Sequence, residues 1–436
     1  MDLTQLQTFR VAAVDLNGQL RGKRVPSSYA GKLEKGAVRL PVSTLNMDIS
    51  GADIEGSPLV YETGDADGIL LPTSRGPVPM PWLERPSALV PMWMFDEAGQ
   101  PFAGDPRHAL ARVLDRFDAR DWQVVAATEL EFYLVDRNGL RPPIQPKTGE
   151  VLSRANVYGL SILDGFEAFF DDLYDACEAM EIPAQTALAE SGLGQFEVNL
   201  NHQDAMKAAD DAMLFKTLVK GLARKHGLCA TFMAKPYETD AGNGLHVHFS
   251  VLDKAGQNVF DDGTDAGTDV LRYALAGCLD AMQDCTLLFA PHAGSYHRLV
   301  PNAHAPTAVC WGYENRTVAL RVPGGPPVAR RIEHRVAGGD INPYLMLAAI
   351  LGAAMNGVDD ARLPPAPIIG SAYDQSLPQL APSWSNAIDR FASSPHIARI
   401  FDPMMIDNMV RTKRQDMAIV SQMTPIEQAK LYLETV

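Results

Sequence analysis

The chain is poor in the patterns that announce several common chemistries. Its five cysteines (Cys177, Cys229, Cys278, Cys285, Cys310) form neither a CxxC pair nor an even framework. That excludes zinc clusters and points to reduced thiols rather than disulfide staples. No GxxxxGK[ST] stretch occurs, so this is not a P-loop protein. The longest apolar run, YLMLAAILGAAM from Tyr344 to Met355, is too short to span a bilayer, and the opening MDLTQLQTFR lacks the apolar core of a signal peptide. A basic excess is missing too: 38 Lys+Arg against 53 Asp+Glu give a net charge of -15, which argues against nonspecific binding to nucleic acid or an anionic membrane. The expectation is a cytoplasmic protein in which any anionic ligand must find a local cluster of arginines.

What is present is a globular composition, 46% hydrophobic and 21% charged, over 436 residues, too long for one ordinary core. VAAVDL and QLRGKRV flank Asn17-Gly18, the dipeptide that best fits a type I′ hairpin turn. Residues from about 45 to 105 are rich in Gly, Pro, Asp and Ser, as in PTSRGPVPMP, which places a domain boundary near residue 100. The division is therefore 1–100 and 101–436. DPRHALARVLDRFDAR follows, with Asp105 suited to the N-cap, Pro106 to the first helical position, and Ala109, Leu110, Val113, Leu114 and Phe117 at helical spacing. DGFEAFFDDLYDACEAM and ADDAMLFKTLVKGLARKHG read as further helices.

Several strand-like stretches carry polar residues on one face. In ATELEFYLV, Glu129 and Glu131 point one way, while Leu130 and Phe132 point the other. In LHVHFS, His246, His248 and Ser250 share a face; in RRIEHR, Arg331, Glu333 and Arg335 do. RTVALRVP contributes Arg316 and Arg321, whose side chains need not share a face. ESGLGQFEVNL carries Glu190 before a Gly-rich turn and Glu197 after it, a spacing that brings both carboxylates together across a hairpin.

Each stretch alone has an ordinary explanation: a solvated strand face, structural histidines, or a surface ion-pair ladder. Their joint occurrence implies a curved sheet whose concave face is a site. Two carboxylates about 5 Å apart repel by roughly 3 kcal/mol at an effective dielectric near 20, so without cations some of these glutamates would stay protonated. Glutamates with a histidine and no thiolate form an oxygen-rich donor set suited to Mg²⁺ or Mn²⁺. Arg298, Arg316, Arg321, Arg331 and Arg335 supply forks that fit carboxylate or phosphate oxygens. A divalent-metal cluster beside arginines is what phosphoryl transfer requires.

The motifs ELEFYL, ESGLGQFEVNL, ATFMAKP with GNGLHVHFS, SYHRLVP, WGYENRTVALRVP and RRIEHRVAGGDINPYL together resemble the glutamine synthetase superfamily, and more narrowly its γ-glutamylamine ligase branch. The resemblance covers essentially the whole chain. It implies an α+β fold: a small N-terminal β-grasp domain, then a large catalytic domain with a curved antiparallel sheet. It also implies a dodecamer of two stacked hexameric rings, with each site between two subunits. Glu131, Glu190 and Glu197 would then hold a metal beside substrate glutamate, and Glu129, His246 and Glu333 a second beside the nucleotide. His248 and Ser250 match ATP-contacting positions, and Arg316, Arg321 and Arg331 match phosphate-facing arginines. Arg298 and Arg335 match the arginines that hold glutamate, with Asn243-Gly244 in the loop beside it.

The implied activity is ATP-dependent: the γ-carboxylate of glutamate attacks the γ-phosphate of ATP, and an amine then displaces phosphate from γ-glutamyl phosphate. In glutamine synthetases the segment after SYxR reads GYEAP, whose glutamate helps bind and deprotonate ammonium. Here it reads NAHAP, with His304 in that place. Imidazole is a poorer partner for ammonium, so the expected acceptor is an organic amine, such as a polyamine or small alkyl amine. Asp48, in NMDISG, matches the aspartate that a neighbouring subunit offers to ammonium, and Tyr158 would line the same pocket. The competing expectations are glutamine synthetase itself, using ammonia, and a catalytically inactive structural relative.

Overall fold

The computed structural model describes residues 1–137 and 140–436. The first 95 residues build a six-stranded sheet from β1 (Thr8–Val14), β2 (Leu20–Pro26), β3 (Val38–Pro41), β4 (Asp67–Pro72), β5 (Val78–Pro79) and β6 (Ala88–Phe95). Its order is β2-β1-β6-β4-β3 with β5 paired to β6, and only β1 and β6 run parallel. Alternation decides its two faces. Phe9, Val11, Ala13, Val90 and Met92 close a small core, whereas Ala12, Val14 and Leu89 join the main core of the chain.

β1 and β2 form the expected hairpin, but through a different turn. Only Gly18 has a positive φ, so the type I′ form, which needs two such residues, is not adopted. Instead the buried Asp15 carboxylate accepts the N–H groups of Asn17 and Gln19, each at 2.9 Å, and fixes a turn from Asp15 to Gly18.

The second sheet has eight strands: β7 (Trp122–Asp136), β8 (Ala184–Ala189), β9 (Gln195–Asp204), β10 (Leu228–Thr231), β11 (Leu245–Asp253), β12 (Trp311–Tyr313), β13 (Leu320–Val322) and β14 (Ile332–His334). Its order is β12-β13-β14-β11-β7-β9-β8, with β10 on the end of β7, and it is antiparallel except for β12 and β13. One face is apolar: Phe132 of β7 meets Phe169, Phe196, Phe215 and Phe232 with ring centroids 5.6–6.5 Å apart. That aromatic layer fixes the register, since a one-residue slip would bury glutamates.

Helices cover the apolar face. Pro106–Asp118 begins as its sequence dictates, with the Asp105 carboxylate on the Arg107 N–H and Pro106 at the first position. The helix Pro343–Asp360, which contains the apolar run, is buried nearly all round. Its Gly357 sits against Gly277 of the helix Asp269–Met282; a Cβ at Gly277 would lie 2.1 Å from the Ala353 carbonyl oxygen. All five cysteines are free, and among the described residues no helix is long and apolar enough to cross a membrane.

The Gly277 contact yields a stability prediction. Gly277→Val forces the two helices apart and lowers stability by about 1–3 kcal/mol in urea unfolding followed by tryptophan fluorescence. An unchanged midpoint and slope would contradict the close approach.

Candidate active site

The polar face of the second sheet gathers the side chains that alternation singled out. Register places His246 opposite Glu129 and, on the other side of β7, Glu197 opposite Glu131. His248 stands opposite Glu333, and Glu333 opposite Arg321. β8 and β9 form the expected hairpin: the Glu190 N–H is bonded to the Gln195 carbonyl at 2.9 Å, so Glu190 returns toward Glu197.

Hydrogen bonds divide this face into two halves. On one side, Glu129 receives His246 Nδ1 and His248 Nε2, one on each oxygen, both at 3.0 Å. Glu333, almost fully buried, accepts Arg321 Nη1 at 2.9 Å on one oxygen and a close contact from Arg335 Nη1 on the other. Glu129, His248 and Glu333 each present a donor atom within 4.8 Å of the others, a compact group able to hold a cation. His248, which the family resemblance assigns to the nucleotide, thus belongs to the compact group, whereas His246 bonds the Glu129 oxygen that His248 does not.

On the other side, Glu131 Oε2 accepts the Gly244 N–H at 2.7 Å. A Cβ on Gly244 would lie 2.8 Å from Arg298 Nη2, 3.1 Å from His246 Nε2 and 3.2 Å from Glu131 Oε1. Glycine therefore keeps open the space where these three groups converge. Arg298 is buried and anchored by Nη1 to the Val336 carbonyl at 2.7 Å. Asn243 is a structural residue of this loop, donating to the Met233 carbonyl at 2.9 Å and accepting Gln195 Nε2 at 3.0 Å.

Titration follows the same division. Burial opposes ionisation of Glu129, but hydrogen bonds from both histidines outweigh it and hold its pKa below the usual carboxylate range. Glu333 is likewise held low, burial being outweighed by Arg335 and the neighbouring histidines. Glu197 moves the opposite way, up to about 9, through burial and then repulsion from Glu129, Glu131 and Glu190. Burial and Glu131 also raise Glu190. Carboxyls crowded together in this way are a donor set that a hard divalent ion fits, because the ion relieves their mutual repulsion.

A cleft of about 600 Å³ opens over the Glu129 half, lined by Val125, Ala127, Asn199, His248, Ser250 and Arg331. Ser250 Oγ donates to the Arg330 carbonyl at 2.9 Å, and Arg331 Nε donates to His248 Nδ1 at 3.2 Å. The remaining candidates lie apart. Arg316 is exposed in a separate recess with Glu314 and Ile369. His304 is exposed at φ 58° on the loop before β12. Tyr158 is exposed, with its N–H bonded to the Ala189 carbonyl at 2.9 Å, next to Glu190. Asp48 is buried; Oδ1 accepts the N–H groups of Ser50 and Ala52 and Oδ2 the amide of Gln415, all at 2.9 Å.

Three side chains escaped the sequence reading. Gln195 bridges Glu131 and the Asn243 loop, and Asn199 approaches Glu129 at 3.5 Å. Strand alternation places both on the same face as Glu197, so the signal was present. Glu314 holds Arg321, a pairing that no local pattern announces.

A model of the glutamine synthetase catalytic domain matches residues 103–431. The chain is 39% identical over 402 residues to gamma-glutamylputrescine synthetase PuuA of Escherichia coli (strain K12), covering 89% of this chain and 84% of that protein. It is 30% identical over 407 residues to glutamate–isopropylamine ligase of a Pseudomonas species, covering 91% and 88%. A solved structure, GmaS without ligand, superposes with a TM-score of 0.85 at 26% identity, covering 98% of this chain and 96% of that one. The chain belongs to the glutamine synthetase family.

The raised carboxyls set a proton-linked prediction. With the Glu197 pKa at about 9 in the native state, the metal-free protein holds a proton that the unfolded chain loses above about pH 4.5, so this group's contribution to stability falls as pH rises across that window. A divalent ion held by Glu197 would displace that proton, so the gain in melting temperature on adding Mg²⁺ or Mn²⁺ is expected to be larger at pH 8 than at pH 6. Calorimetric titration in buffers of different ionisation enthalpy measures the release; heat independent of buffer would contradict the assignment.

Proposed function

We propose that this member of the glutamine synthetase family is an ATP-dependent ligase joining the γ-carboxylate of L-glutamate to an organic amine, a polyamine or small alkyl amine. The observation that carries the reading is the sheet face where Glu129, Glu131, Glu197, His246, His248 and Glu333 converge beside Arg321 and Arg335. Similarity to proteins named for ligation of glutamate to putrescine and isopropylamine supports an organic acceptor.

In the first step a γ-carboxylate oxygen of glutamate attacks the γ-phosphorus of ATP, and ADP leaves. Arg298 and Arg335 hold the glutamate, with Asn243 and Gly244 bordering it. Arg321 and Arg331 face the phosphates and Ser250 lines the cleft that takes the nucleotide, whereas Arg316, in its separate recess, stands outside this arrangement. Two divalent ions, Mg²⁺ or Mn²⁺, would neutralise charge on the phosphoryl oxygens when bound. Glu131, Glu190 and Glu197 would hold one of them, and Glu129 and Glu333 with His246 or His248 the other. The site's own contribution is to position reactants and to aim fixed dipoles at developing charge.

In the second step the amine nitrogen attacks the γ-carbonyl carbon, the bond to phosphate breaks, and the nitrogen gives up a proton. Asp48 of the partner subunit is the proposed acceptor, within a dodecamer of two hexameric rings, and Tyr158 borders the amine. His304, in place of an acidic residue, favours an amine larger than ammonium.

Phosphate release with ATP, glutamate and a panel of amines tests this: turnover is highest with an organic amine, and preference for ammonium would instead make the chain a glutamine synthetase. Glu333→Gln lowers that release by roughly 100-fold or more while the assembly remains intact by light scattering. Near-normal turnover in this variant would remove Glu333 from the site.

A further inference from the structure

Glu314 is an outlier in both backbone and side chain. It occupies the left-handed region at φ 49°, a conformation costly for a residue with a Cβ. Its position follows the end of β12, and its N–H is bonded to the Val322 carbonyl at 3.1 Å. From there the carboxylate turns back across the sheet edge: Oε1 accepts the Gly324 N–H in a close contact and Arg321 Nη2 at 3.0 Å. Gly324 allows this approach, since a Cβ there would lie 3.2 Å from Glu314 Cδ.

Arg321 is thereby strung between two carboxylates. Its Nη1 donates to buried Glu333 at 2.9 Å and its Nη2 to exposed Glu314. An arginine beside a single carboxylate tends to close on it with both arms. Closing on Glu333 with both arms would make Arg321 compete with Arg335 for the same oxygens.

We propose that Glu314 is a positioning residue: by holding one arm of Arg321, it keeps that arginine in one-armed contact with Glu333 and turned to nucleotide phosphates. The inference rests on the proposed role of Arg321 toward ATP. It extends the site to a residue outside the sheet face, acting through Arg321 without touching substrate.

Calorimetric binding of the nonhydrolysable analogue AMP-PNP with Mg²⁺ to the assembled protein tests it. Glu314→Ala weakens binding about fivefold or more, and Glu314→Gln, which keeps an acceptor oxygen, less; in an Arg321→Lys background, adding Glu314→Ala changes affinity by less than about twofold. The KM for glutamate stays within about twofold of the parent value, unlike a general structural defect. Unchanged AMP-PNP affinity in Glu314→Ala, or equal weakening in both backgrounds, overturns the inference while the ligase reading stands. Failure of the parent protein itself to bind AMP-PNP overturns both.

Discussion

Five carboxylates share one region of a sheet, and the balance of charge around them governs the rest of the site. The Glu129 half is largely satisfied by the protein itself, through hydrogen bonds from His246 and His248 to Glu129 and ion pairs of Arg321 and Arg335 with Glu333. The Glu131 half is not: among the described residues Glu131, Glu190 and Glu197 make no salt bridge, and burial with mutual repulsion raises Glu190 and Glu197. A surface arranged only for stability would not leave such carboxyls together. The imbalance is a demand for cations, and it lies beside a cleft with space for a nucleotide.

The fold makes that crowding tolerable by fixing it from behind. β7 presents Glu129 and Glu131 on one face because Leu130, Phe132 and Leu134 are locked into the core on the other. Partners arrive on both sides, β11 with its histidines and β9 with Glu197, so the carboxylates are held by register rather than by loops. Loops supply the finer adjustments. Gly244 removes a side chain where Arg298, His246 and Glu131 meet, and Glu314 restrains an arginine at the sheet edge.

Much of this was legible in the sequence because strand alternation is a local rule. It separated Glu129, Glu131, His246, His248 and Glu333 from the apolar residues beside them, the spacing around a Gly-rich turn paired Glu190 with Glu197, and Asp105-Pro106 marked a helix start in the same local way. Contacts made at long range were not legible. The Asn17-Gly18 turn is governed by a buried Asp15 carboxylate, which also takes Arg21 at 2.7 Å and displaces the expected geometry. Asp48 packs against Gln415 of the helix Pro403–Val420, a pairing no spacing rule could find. Which histidine joins the compact donor group depended on the register between β11 and β14, and only the folded sheet supplies that.

The central claim is that this site activates the γ-carboxylate of glutamate by phosphoryl transfer before an amine attacks. Turnover with glutamate labelled with oxygen-18 in its γ-carboxylate, an accepted amine and unlabelled ATP tests it directly, by mass spectrometry of the released phosphate. The account predicts one heavy oxygen carried from glutamate into each phosphate as the amide forms. Unlabelled phosphate accompanying amide formation would contradict it.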